Sequence, residues 1–120
     1  QEQKTYEAAF SLITSHAYDD AIEAMQSCLK IYGDDGKYAA NAYYWLGELY
    51  AQKKDYANAL SHLETVVQQY PDSNKAPDAM LKLGIINQQQ GNDAQAKKWF
   101  DEVTSQYPDS SSARLAKNYL

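Results

Sequence analysis

Tyr43-Tyr44-Trp45-Leu46-Gly47, then Asp55-Tyr56-Ala57-Asn58-Ala59, then Tyr70-Pro71-Asp72-Ser73: this succession decides the fold, because the chain returns to it. Leu46-Gly47 recurs as Leu83-Gly84, Asp55 to Ala59 as Asn92-Asp93-Ala94-Gln95-Ala96, and Tyr70 to Ser73 as Tyr107-Pro108-Asp109-Ser110, each displaced by 37 residues. A fainter copy precedes them at a spacing of 38, with Tyr18-Asp19-Asp20-Ala21-Ile22 against Tyr56-Ala57-Asn58-Ala59-Leu60 and Tyr32-Gly33-Asp34 against Tyr70-Pro71-Asp72. A unit of this length cannot bury its apolar face alone, so three in succession must stack.

Within each unit, apolar residues recur at helical spacing in two stretches separated by a polar turn, at Ser15-His16, Lys53-Lys54 and Gln90-Gly91-Asn92. The pattern predicts three helical hairpins. Asp19, Asp55 and Asp93 stand at or near the start of each second helix, where a carboxylate can cap free amides and favour the positive end of the dipole. The second helices are expected to end at Tyr32, Tyr70 and Tyr107, where Gly or Pro follows. Pro77 falls in the first turn of its helix, and Ser110 to Ser112 can cap a last helix running to Leu120. The expectation is an all-α solenoid of seven helices forming one domain over residues 1–120, with repeats at about 2–36, 40–73 and 77–110 and a capping helix at 111–120.

These residues resemble the tetratricopeptide repeat, whose pattern is W-x2-L-G-x2-Y, then A-x3-F, then P. The second unit supplies Tyr43, Leu46, Gly47, Tyr50, Ala59, Leu63 and Pro71, and the third Met80, Leu83, Gly84, Asn87, Ala96, Phe100 and Pro108. The first is degenerate, with Thr5, Ala8, Ala9, Leu12, Ala21, Met25 and Gly33. Gly47, Gly84, Ala21, Ala59 and Ala96 are small because helices must approach closely there.

A narrower resemblance rests on Ala42-Tyr43-Tyr44-Trp45-Leu46-Gly47-Glu48, Val66-Val67-Gln68-Gln69-Tyr70-Pro71-Asp72-Ser73 and Lys75-Ala76-Pro77-Asp78-Ala79-Met80-Leu81-Lys82-Leu83-Gly84. They look like the C-terminal domain of the YbgF (CpoB) family, the Tol-Pal accessory proteins that coordinate cell division in Gram-negative bacteria. That resemblance implies a periplasmic location, binding to the energy-transducing protein TolA, and a link between outer-membrane constriction and septal peptidoglycan synthesis through a bifunctional penicillin-binding protein. It also implies oligomerisation through an N-terminal coiled coil that these residues do not contain. Outer-membrane assembly lipoproteins use similar phrases, so a scaffold of that kind is the alternative.

Composition narrows the functions further. Acidic residues outnumber basic ones, 16 to 11, and the cations are scattered, which argues against a nucleic-acid partner. No apolar run approaches the roughly 20 residues that cross a bilayer, so direct membrane insertion is not expected, and Gln1-Glu2-Gln3-Lys4 lacks a signal-peptide core. Metal, phosphate-loop and nucleophile motifs are missing, so no cofactor and no catalysis are expected. His16 and His62 read as turn and interhelical residues, Asp34-Asp35 as a solvated turn, and Cys28 as core, since it takes the slot of Val66 and Val103.

The binding reading rests on positions the repeat does not need for its own packing. First helices of such hairpins line a concave face, and residues one turn apart form a stripe along it. Relative to the Leu-Gly pair, that stripe collects Tyr6, Tyr44 and Leu81, then Phe10, Glu48 and Ile85, then Ile13 and Gln88, with Asn41, Gln52 and Asp78 beside them to orient a guest by hydrogen bonds. The stripe lacks the Lys, Asn and Arg cluster that captures a terminal carboxylate. A hydrophobic or aromatic protein segment is therefore the expected guest. A hydrolytic or peptidoglycan-binding reading would have only Glu48 and Asp78 to work with.

Overall fold

The computed structural model describes residues 1–120. Seven α-helices follow one another: α1 (Glu2–Thr14), α2 (Tyr18–Tyr32), α3 (Ala39–Gln52), α4 (Tyr56–Gln69), α5 (Lys75–Gln89), α6 (Asp93–Gln106) and α7 (Ser111–Ala116), with a 3-10 turn at Lys117–Tyr119. The expected all-α hairpin architecture is present. The chain divides into two compact units, Gln1–His62 and Leu63–Leu120, with the boundary inside α4.

The three hairpin turns are built identically although their sequences differ. Ala17, Asp55 and Asn92 each donate a backbone N–H to the carbonyl five residues back, on Leu12, Tyr50 and Asn87, at 2.8, 2.9 and 2.8 Å. The residue before each donor is left-handed: His16 at φ 65°, Lys54 at φ 65° and Gly91 at φ 82°. This bonding satisfies carbonyls that the helix end leaves free. Only the third turn uses the glycine that the conformation favours.

In the first unit Tyr6, Ala9, Ala21, Ile22, Met25, Cys28, Ala42, Leu46 and Leu49 form one core. Cys28 is buried there, as Val66 and Val103 are at the matching positions. In the second unit Met80, Ala96, Phe100, Val103 and Ala116 form the core. A methyl group on Gly84 would stand 2.4 Å from Cε1 of Phe100, so α5 and α6 meet here at a distance only glycine permits. Ala21, Ala59 and Ala96 are likewise buried, and Pro77 is buried in the first turn of α5.

Several terminal details differ from expectation. Of the three aspartates only Asp55 caps, accepting the Asn58 N–H at 3.3 Å. The cap of α2 is Ala17 with no side-chain bond, and Asp19 pairs instead with Lys53 at the next hairpin turn. Asp93 sits inside the first turn of α6, after an N-cap at Asn92, and so acts only on the dipole. Helices α4 and α6 stop one residue before Tyr70 and Tyr107, while α2 includes Tyr32. The last helix does not reach Leu120, because a 3-10 turn replaces it after Ala116; Ser110 caps it, accepting the Ala113 N–H at 3.0 Å.

Candidate protein-binding surface

In the first unit the stripe residues of α1 and α3 come together through their rings. Tyr6 stacks on Tyr38 with centroids 4.7 Å apart and on Phe10 at 6.3 Å. Phe10 meets Trp45 edge-on at 5.2 Å, and Trp45 meets Tyr44 edge-on at 5.2 Å. Five rings, Tyr38, Tyr6, Phe10, Trp45 and Tyr44, thus run as a continuous ladder from α1 to α3. Offset-stacked and edge-on pairs are the favoured geometries, each adding about 1 kcal/mol beyond area burial, so the ladder is rigid before any guest arrives.

The rings are not equally available. Tyr6 is 8% exposed and belongs to the core of its unit, where it supports Phe10 and Tyr38 from below. Burial raises its phenol pKa, an effect that hydrogen bonds with the Asn41 and Trp45 side chains partly offset. Phe10, Tyr38, Tyr44 and Trp45 are half-buried, each presenting part of a ring to solvent. The Tyr44 hydroxyl donates to Oε2 of Glu48, one turn along α3, at 3.0 Å. Ile13 packs against the core of the unit, Asn41 is half-buried, and Gln52 is exposed at the last residue of α3.

The second unit carries its own stripe on α5. Leu81 and Ile85 lie half-buried against the Met80, Phe100 and Val103 core. Gln88 is exposed and borders a 190 Å³ hollow shared with Tyr119 and Leu120. Asp78 accepts a hydrogen bond from Ser112 at 2.7 Å, so α7 already engages it. Trp45 and Tyr38 were not assigned to the stripe from the sequence. Trp45 lies one position past Tyr44, off the counted stripe, and Tyr38 precedes α3, so only the packing against α1 brings them in.

Neither histidine joins this surface. Nδ1 of His16 lies 2.8 Å from the Tyr18 hydroxyl, and His62 packs between Tyr43 and Tyr50. Asp34 accepts from the Tyr43 hydroxyl at 2.7 Å.

Residues 38–109, more than half of the chain, match the tetratricopeptide repeat family. The chain belongs to the tetratricopeptide repeat family. Stacked repeats of this kind present extended concave binding surfaces. Two curated relatives, each a cell division coordinator CpoB of Pseudomonas putida and one of them from strain KT2440, are 42% identical over 55 residues. The match covers 46% of this chain but only 20% of each relative, so this chain aligns with a fifth of their length. Over that stretch its tetratricopeptide repeats are similar to those of CpoB, in line with the resemblance drawn from the sequence. No helix is long and apolar enough to cross a membrane.

Proposed function

We propose that this chain is the protein-binding module of a periplasmic Tol-Pal accessory protein, and that the first helices of its hairpins hold a segment of TolA. The observation that carries this reading is the five-ring ladder of the first unit. Half-exposed rings already fixed by one another lose little freedom when a partner docks, which is why aromatic anchors dominate protein interfaces. Glu48 and Asn41, which hydrogen-bond to Tyr44 and Tyr6, are positioned to orient the guest, with Gln52 at the end of α3 as a further polar contact, and Leu81 and Ile85 offer a second apolar stripe on α5. The role is non-catalytic: by holding TolA, with a bifunctional penicillin-binding protein as a further partner, the module couples outer-membrane constriction to septal wall synthesis during division. The CpoB likeness supports this placement.

Titration calorimetry with the purified periplasmic region of TolA tests it. Saturable heat is expected, removed by Tyr44→Asp and weakened by Ile85→Asp while circular dichroism retains full helicity. Absence of heat at high concentration overturns TolA as partner; binding that survives both substitutions overturns the surface.

A further inference from the structure

The five rungs of the ring ladder are not held alike. Tyr6 and Phe10 stand within α1, and Tyr44 and Trp45 within α3, so helical backbone bonding fixes the direction in which four of the rings leave the chain. Tyr38 is the exception. It precedes the first residue of α3 as its N-cap, and no side-chain hydrogen bond caps the helix there. Its carbonyl accepts the Ala42 N–H at 2.9 Å, which begins the helix, but a helix supplies no partner for amides at its own start.

One side chain from α1 takes both amides at this point. The Glu2 carboxylate accepts the Lys37 N–H on Oε1 and the Tyr38 N–H on Oε2, each at 2.9 Å. Hydrogen bonds to a carboxylate are about twice as strong as neutral ones, so this is a firm hold on a segment that lies between helices. Glu2 also stands one helical turn before Tyr6 on the same helix, and the Tyr6 ring stacks on the Tyr38 ring with the planes 10° apart. One face of α1 therefore grips Tyr38 twice, by its backbone through Glu2 and by its ring through Tyr6.

We propose that Glu2 is a positioning residue for guest binding: without touching the guest, it clasps the Lys37 and Tyr38 amides and so sets the half-exposed Tyr38 ring as a ready-made terminal rung of the ladder. This role rests on the first helices being the guest-binding surface, as proposed above. A rung already in place needs little further ordering when a partner docks, whereas a mobile one must be immobilised, and that cost is subtracted from the affinity.

Titration calorimetry with the purified periplasmic region of TolA, together with the aromatic resonances of the free chain, tests this. In Glu2→Gln one of the two amides meets an NH2 group in place of an acceptor. Helicity should be retained, the ring-current shift that Tyr6 imposes on Tyr38 should shrink, and affinity should fall about fivefold, the equivalent of about 1 kcal/mol. Gly36→Ala should do the same from the other side, because its methyl group would stand 2.5 Å from Oε2 of Glu2 and push the carboxylate off the amides. In a Tyr38→Ala chain neither substitution should cost further affinity, since no ring is left to place. Asp55→Ala, which removes the cap of α4, is the control for lost stability and should bind as the wild type does. With a wild type that binds, an undiminished affinity or unchanged Tyr38 resonances in Glu2→Gln overturn this role for Glu2 alone, as does a loss that persists without the Tyr38 ring or is matched by Asp55→Ala. Absence of heat from the wild type overturns TolA as the guest, and this role with it.

Discussion

Gly84 and Gly91 are suited to their positions for different physical reasons, and substitution separates them. At Gly84 the limit is space: the Phe100 ring stands where a methyl group would go and is itself buried. Gly84→Ala should cost about 1–3 kcal/mol in urea denaturation through overpacking. Around Gly91 nothing lies within 4 Å, but its φ is 82°, so Gly91→Ala should cost about 1 kcal/mol through the backbone alone. Lys54 and His16 hold the same conformation without glycine, which is why the turn was legible from spacing while its left-handed geometry was not. Cys28 was legible as core because the repeat aligned it with Val66 and Val103. Its thiol pKa is raised from an ordinary 9.0, first by burial and then by the Glu2 carboxylate, and that of the Tyr6 phenol from an ordinary 10.0, chiefly by burial. Both groups fold more favourably when protonated, so their contribution is intact below the ordinary values and is lost as pH rises past them. The urea midpoint should therefore be flat near neutrality and fall above about pH 9, and Cys28→Val should remove the first part of that fall.

Helices were legible as elements because period and turn chemistry agree three times over, and their ends were less so. A cap depends on which partner a carboxylate finds in space, and Asp19 finds Lys53 rather than the amides of its own helix. The converse case is Glu2. It lies far from α3 in sequence, yet its carboxylate accepts the backbone N–H groups of Lys37 and Tyr38, both at 2.9 Å, and thereby fixes the approach to α3. Gly36 leaves room for this clasp, since a methyl group there would come 2.5 Å from Oε2 of Glu2. No sequence pattern relates a glutamate to amides 35 residues away. Glu2→Ala should lower stability by about 1.5–3 kcal/mol, the range for hydrogen bonds to a charged group, with hydrogen exchange rising at Lys37 and Tyr38 before the rest of α3.

At the scale of the whole molecule, the repeat marks out a stripe and the packing shows which of its rings touch. Counting from Leu-Gly identified Tyr44, Phe10 and Tyr6 as one stripe, but not that Tyr6 turns inward as a support or that Trp45 and Tyr38 complete the ladder. Side-chain direction one position off a stripe is decided by the neighbouring helix, so periodicity alone cannot assign it. The central claim is that the guest is held on the first helices, and resonance mapping of a labelled chain titrated with TolA tests it most directly. The largest shifts should fall on Phe10, Asn41, Tyr44, Trp45 and Glu48, with Gln26 and Ile31 of α2 undisturbed. Shifts confined to α2, with α1 and α3 silent along their ring ladder, would contradict it.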